Sequence, residues 1–155
     1  MNLNMLNILL VDDDTDDCYF FKSAVEEYLP YVNLIALHDG EQLMQLLQNE
    51  TNKLPNVIFL DLNMPRKNGF ECLTEIKLNE QLRQIPVVIF STSFEQEVVN
   101  QLYMNGAHYF IRKPAEFSQF KKIIYHTLKL IEAKSIKQPS KEDFVIRVGE
   151  TVITY

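Results

Sequence analysis

Val57-Ile58-Phe59-Leu60-Asp61-Leu62-Asn63-Met64-Pro65-Arg66-Lys67-Asn68-Gly69 is the stretch on which the fold turns. Four apolar residues in a row, rich in β-branched and aromatic types, predict a strand buried on both faces, as in a parallel sheet. The run then meets an aspartate. A strand buried on both faces has no use for a carboxylate unless it surfaces there, so Asp61 is expected at the carboxyl end, beside a crevice. Pro65, Asn68 and Gly69 supply turn chemistry directly afterwards. In parallel sheets, ligands bind outside these carboxyl ends. Within its own stretch, Asp61 reads equally well as a loop cap or as a reactive group; the rest of the chain has to separate the two.

Working outward, the same pattern recurs. Toward the N-terminus, Leu6-Asn7-Ile8-Leu9-Leu10-Val11 predicts a first strand, closed by Asp12-Asp13-Asp14-Thr15-Asp16-Asp17. Asp14 or Thr15 can cap a helix there, and the acids suit its positive end. That helix carries Cys18, Phe21, Ala24, Val25 and Tyr28 at helical spacing and stops at Pro30. A second strand over 32–37 ends at His38-Asp39-Gly40, and a short helix follows with Leu43, Met44, Leu46 and Leu47 inward. Beyond the opening stretch, a helix starting at Asn68-Gly69 carries Phe70, Leu73 and Ile76. A fourth strand, Val87-Val88-Ile89-Phe90, ends in Ser91-Thr92-Ser93. The next helix carries Val98, Val99 and Leu102 and stops at Asn105-Gly106. A fifth strand, Ala107-His108-Tyr109-Phe110-Ile111, ends at Arg112-Lys113-Pro114, and the longest helix follows, with Phe117, Phe120, Ile124, Leu128 and Ile131 on one face.

Strand and helix alternate five times without a hairpin signal, which predicts a parallel sheet with helices on both faces and right-handed crossovers. At 155 residues the chain suits one domain with a substantial core. Its 46% hydrophobic and 23% charged residues are ordinary for a globular chain. A net charge of −6 argues against a non-specific grip on nucleic acid. No apolar run is long enough to span a bilayer, and no targeting segment opens the chain, so a cytoplasmic, membrane-free protein is expected. Cys18 and Cys72 lack metal-ligand spacing and read as core cysteines in a reducing compartment.

A domain over 1–137 is expected, followed by an extension over 138–155 that begins with a linker at Gln138-Pro139-Ser140 and is too short for an effector domain. From Phe144 to Tyr155 the composition favours strand, and Gly149-Glu150 can turn a hairpin. Three fates are open to it: a free tail, a strand packed on its own domain, or a strand added to a partner or to a second protomer in a homodimer.

In a parallel sheet all carboxyl ends open on one rim. Asp12 and Asp13 follow the first strand, Asp61 the third, Ser91 and Thr92 the fourth, and Lys113 the fifth. Clustered carboxylates repel: at about 4 Å and an effective dielectric near 20, a pair costs on the order of 4 kcal/mol. A hard divalent cation such as Mg²⁺ removes that penalty, preferring a few carboxylates, a carbonyl and water. Only four glycines occur, and none is spaced as a phosphate cradle or dinucleotide fingerprint. The remaining chemistry is metal-assisted phosphoryl chemistry on a small group, with Asp61 as the candidate nucleophile. Asp14, Asp16 and Asp17 read as solvated helix-start charges, and His38, His108 and His126 as structural or surface residues.

At these positions the chain resembles the receiver domain of two-component response regulators, over roughly Leu6 to Glu132. Five elements match in order: Leu10-Val11-Asp12-Asp13; Asp61-Leu62-Asn63-Met64-Pro65 with Gly69; Ser91-Thr92; Asn105-Gly106-Ala107; and Lys113-Pro114. The resemblance implies a flavodoxin-like, doubly wound, five-stranded parallel sheet of order 2-1-3-4-5 with five helices. It implies that Asp61 accepts a phosphoryl group from a phosphohistidine on a sensor histidine kinase or phosphotransfer protein. Mg²⁺ would be held by the Asp13 and Asp61 side chains and the Asn63 backbone carbonyl, with Asp12 assisting through a water. Ser91 would be the switch hydroxyl, Lys113 the cation that pairs with the phosphoryl group, and Phe110 the switch aromatic; Lys113-Pro114 would be a cis peptide. The implied protein is a stand-alone receiver, similar to chemotaxis or phytochrome-associated regulators, that passes the phosphoryl group on or docks on a downstream protein. Two competing classes are a pseudo-receiver interaction module, which would lack an acidic or lysine position, and a haloacid-dehalogenase-type phosphohydrolase, which would want an acid where Asn63 stands.

Overall fold

The computed structural model describes residues 5–28, 32–49, 51, 53–133 and 137–147. Eleven regular elements alternate among them: β1 (Leu6–Val11), α1 (Thr15–Tyr28), β2 (Val32–Leu37), α2 (Gly40–Gln48), β3 (Val57–Leu60), α3 (Gly69–Leu78), β4 (Val87–Ser91), α4 (Gln96–Met104), β5 (Tyr109–Arg112), α5 (Phe117–Ala133) and β6 (Val145–Ile146). All strand pairs are parallel and the order is β2-β1-β3-β4-β5-β6. The flavodoxin-like arrangement expected for the first five strands is therefore present.

Period-two alternation along each buried strand divides the core into two layers. Ile8, Leu10, Val57, Phe59, Val88, Phe90, Tyr109 and Ile111 face α1 and α5, where Phe21 packs edge-on to Phe59 with ring centroids 4.8 Å apart. Leu9, Val11, Ile58, Leu60, Val87, Ile89 and Phe110 face Leu43 and Leu47 of α2, Leu73 and Ile76 of α3, and Leu102 of α4. Every residue of β3 is 0% exposed, which is why it reads as an unbroken apolar run. Cys18 and Cys72 are buried free thiols. Phe70 and Phe117, at the starts of α3 and α5, are 38% and 41% exposed, and Phe117 sits against the half-exposed Phe20 at 5.5 Å. Among the described residues, no helix is long and apolar enough to cross a membrane.

Local chemistry sets the element ends. Asp14 Oδ1 accepts from the backbone N of Asp16 and Asp17, capping α1. Asp39 caps α2 by accepting from Gln42 N. Asn68 and Glu71 form a capping box at α3. After α4, Gly106 takes φ +96°, a left-handed conformation that side chains disfavour.

The extension departs from the five-stranded expectation. Of its three possible fates, the described part takes the second: a 3-10 turn at Lys141–Asp143 leads into β6, which pairs with β5 in the register Phe110↔Val145 and Ile111↔Ile146. Phe110 N donates to Phe144 O at 2.9 Å. The Phe144 ring is 1% exposed and packs on Tyr103 at 5.1 Å. Tyr103 Oη donates to Pro139 O at 2.9 Å, while Gln138 Nε2 donates to the carbonyls of Tyr103 and Ala107, both at 2.7 Å. The supposed linker is thus a clasp. An apolar aromatic and an open ladder on β5 outweigh the entropy of ordering this segment. The expected hairpin at Gly149-Glu150 lies outside the described residues, as does the stop at Pro30.

Candidate functional site

The rim predicted from strand ends is assembled by the ladder itself. Asp12 N donates to Leu37 O at 3.0 Å and Asp61 N to Val11 O at 2.9 Å, so the first residue beyond β1 and beyond β3 is still pinned to the neighbouring strand. Lys113 N donates to Ser91 O at 2.8 Å, fixing the end of β5 in the same way. Behind Asp61, Gly69 N donates to Leu62 O at 2.9 Å. Any Cβ on Gly69 would collide with the Asp61 carbonyl, so glycine is what lets α3 start against the back of the site. The intervening loop turns at Arg66, whose φ of +65° is left-handed and whose Nε donates to Asp39 Oδ2 at 3.1 Å.

Carboxylate oxygens of Asp12, Asp13 and Asp61 all lie within 4.8 Å of one another. Asp12 and Asp61 are buried, whereas Asp13 is exposed. Lys113 reaches in from β5: its Nζ is 2.6 Å from Asp12 Oδ2, 2.8 Å from Asp17 Oδ2 and 3.8 Å from Asp61 Oδ1. The Phe90 ring lies below it, 5.3 Å from Nζ. Asp12 Oδ1 accepts from Asp14 N at 2.9 Å, and its carbonyl receives Cys18 Sγ at 3.4 Å and lies 3.2 Å from His38 Nδ1.

Three acids around one ammonium leave an imbalance that shows in their proton affinities. Burial raises Asp61 to about 7; Lys113 pulls it back, and Asp12 and Asp13 push it up again. Burial also raises Asp12, against hydrogen bonds from Lys113 and Asp14. Burial lowers Lys113, but its bonds to Asp12 and Asp17 and the field of Asp61 outweigh that and leave it above the ordinary lysine value, so it stays an ammonium. Burial and the neighbouring acids push Cys18 to about 11, keeping it a neutral thiol. Oxygen ligands at close range, an unbalanced negative charge and an open side at Asp13 are what a hard divalent cation requires.

The structure brings Asp12, Asp13, Asp61 and Lys113 together as expected. Ser91 is fully buried at the end of β4, its Oγ 3.2 Å from Ser93 Oγ and accepting from Ser93 N at 3.3 Å. Asn63 is exposed on the loop after β3. Phe110 is buried beneath α4, edge-on to Phe94 at 5.7 Å. Two expectations are corrected. No cis peptide bond occurs among the described residues, so Lys113–Pro114 is trans, the form an X-Pro bond favours by about 0.5–1 kcal/mol. Asp17 is not merely a solvated helix-start charge but a hydrogen-bond partner of Lys113. Its one sequence signal, an acid in the first turn of α1, was shared with Asp16.

Comparison with known proteins meets this geometry from another side. Residues 8–125 match the response regulator receiver domain model. Response regulator Rcp1 of Synechocystis sp. is 35% identical over 121 residues, covering 76% of this chain and 82% of Rcp1. The phosphorylated cyanobacterial phytochrome response regulator RcpA superposes with a TM-score of 0.79 at 29% identity, covering 84% of this chain and 96% of RcpA. The Mn²⁺-bound form of Rcp1 gives 0.75 at 31% identity, covering 86% and 99%. A model matched over most of the chain, together with a relative at this identity and coverage, means that the protein belongs to the response regulator receiver domain family, the phosphoacceptor proteins of two-component signalling.

Proposed function

We propose that Asp61 is the phosphoacceptor and that the phosphoryl donor is a phosphohistidine of a sensor histidine kinase or phosphotransfer protein. The observation that carries this reading is the convergence of Asp12, Asp13 and Asp61 within 4.8 Å, with the Lys113 ammonium 3.8 Å from Asp61 Oδ1. An ionised Asp61 oxygen attacks phosphorus as the P–N bond to the imidazole breaks, giving an acyl phosphate and a histidine that takes up a proton. Mg²⁺ fits the donor set of three carboxylates and the Asn63 carbonyl, and when bound it would neutralise charge on the dianionic phosphoryl group. Lys113 supplies a further N–H and a positive charge to the same oxygens. Burial raises Asp61 to about 7, which makes its carboxylate a stronger nucleophile than an ordinary aspartate, and Lys113 favours the ionised form that attacks.

The switch is read onto Ser91 and Phe110. Ser91 Oγ leaves Ser93 to meet a phosphoryl oxygen, and Phe110 repacks between α4 and the sheet, biasing two packings of the same face. A downstream protein then reads that face. The receiver body over 1–137 and the extension over 138–155 act as one domain. Asn63 disfavours a phosphohydrolase, since its amide cannot act as the second acid.

Incubation with Mg²⁺ and acetyl phosphate tests the site. One hydroxylamine-labile phosphoryl group is expected in the wild type and none in Asp61→Asn, read by intact mass. An unmodified wild type that still binds Mg²⁺ would overturn the assignment in favour of an interaction module. Lys113→Ala is expected to keep phosphorylation while losing the phosphorylation-dependent change at α4, read by amide chemical shifts.

A further inference from the structure

We propose that Asp17 is a positioning residue: it retains the Lys113 ammonium in the pocket while Asp12 gives that ammonium up to serve a divalent cation. The inference rests on the receiver reading above, because it presupposes a cation at the three carboxylates.

Both oxygens of Asp12 are engaged. Oδ1 accepts from Asp14 N at 2.9 Å and Oδ2 accepts from Lys113 Nζ at 2.6 Å. The residue is 1% exposed, so its carboxylate cannot swing to solvent to find another geometry. An oxygen has lone pairs to spare, but an ammonium and a divalent cation on the same atom repel. Asp12 therefore turns Oδ2 to a cation only as Lys113 withdraws. The ammonium that withdraws is itself buried, its side chain 6% exposed, and stranding it without a partner would carry a large desolvation cost.

Asp17 removes that cost. Its Oδ2 already lies 2.8 Å from the same Nζ, so transfer from Asp12 needs no new encounter, only a shift of weight between two existing bonds. Asp17 projects from the first turn of α1 and lies outside the converging trio, so a cation at the trio does not claim it. The N of Asp17 donates to Asp14 Oδ1 at 3.1 Å, which fixes the turn that carries it. Its side chain is 23% exposed, leaving it reachable by water once Lys113 rests on it. Asp61, at 3.8 Å, is within ion-pair range but beyond hydrogen-bond range, and it is itself a member of the trio. Lys113 has three N–H donors. With Asp17 holding one, the others remain available toward Asp61 and whatever Asp61 carries. The neighbouring acids do not share this role: Asp14 is committed to capping, and Asp16 is exposed in the same turn and outside the ion pairs of Lys113.

Calorimetric titration of Mg²⁺ into the full chain at fixed ionic strength tests this. Asp17→Asn is expected to weaken Mg²⁺ binding about tenfold, the size of an ordinary pairwise coupling. Asp17→Glu should restore most of it. Asp16→Asn, which deletes a charge from the same turn, should stay within about twofold of wild type. Lys113→Met should raise the affinity, and adding Asp17→Asn to Lys113→Met should change it no more than Asp16→Asn does. Should Asp17→Asn fold poorly by circular dichroism, Asp17→Ser takes its place. An affinity in Asp17→Asn equal to that of Asp16→Asn, or an equal loss with Lys113 absent, would overturn the inference while leaving the receiver reading intact. A wild type that binds no Mg²⁺ would overturn both.

Discussion

The rim around Asp61 and the clasp over β5 are built on opposite principles. The rim gathers carboxylates in a buried place, where burial drives Asp61 to about 7, and relies on one lysine to hold them together. The clasp buries an aromatic ring, completes a strand ladder and satisfies its polar groups with direct hydrogen bonds. One region gathers buried charge at a cost in stability; the other adds stability through burial and hydrogen bonds. Phe110 belongs to both, since its side chain packs beneath α4 against Phe94 and its backbone is tied to Phe144 and Val145.

Removing the one group that reconciles the rim should have the largest effect. Lys113→Met is expected to lower stability by about 3–5 kcal/mol at pH 8, because breaking a buried pair strands the charge that remains. The loss should shrink toward pH 5 as the abandoned acids take up protons, and urea denaturation at both pH values measures it. On the clasp side, Phe144→Ala should cost about 3 kcal/mol in the same assay, the usual range for emptying a buried aromatic site. That loss should show little dependence on pH. A pH-dependent loss at Phe144 would mean that the two regions are not energetically distinct.

Asp61→Asn should act in the opposite direction and more weakly. The folded pKa of about 7 lies above the unfolded value, so the native state binds the proton more tightly between roughly pH 4 and 7, and metal-free stability falls as pH rises through that window. An amide removes the penalty. The full shift corresponds to about 4 kcal/mol, and solvent reaching the site brings the expected gain to about 1–2 kcal/mol at pH 8. The gain should vanish below pH 4. Thermal melts of the metal-free proteins across pH read it directly, and saturating Mg²⁺ should remove most of the difference. The smallest effect is expected from Tyr103→Phe, which deletes the bond to Pro139 O and should cost about 1 kcal/mol.

How much of this was legible in the sequence follows the same division. Strand ends carry side chains to one rim by topology alone, so Asp12, Asp13, Asp61 and Lys113 could be brought together from the alternation of elements without any knowledge of packing. The Asp17 contact could not, because five acids crowd residues 12–17 and which of them meets Lys113 depends on the rotation of α1. The extension was undecided for a similar reason. Phe144, Val145 and Ile146 announce a strand, but nothing in their order says which edge receives it; that is decided by the Tyr103 ring and the open side of β5. That Phe70 and Phe117 stay part-exposed was not legible, because helical spacing gives a face, while the width of the buried stripe depends on what packs against it.

The brevity of β6 has a consequence for the molecule among its own copies. Without it, β5 would present Tyr109-Phe110-Ile111-Arg112 as the sheet edge, an apolar row of unpaired amides and carbonyls of the kind on which other chains nucleate cross-strand pairing. A strand of two residues covers the middle of that row, Phe110 and Ile111, and offers only a short ladder in return. Displacing it would turn a protected margin into a template, so crowding and prolonged storage, not only signalling, should weigh on keeping residues 138–147 in place.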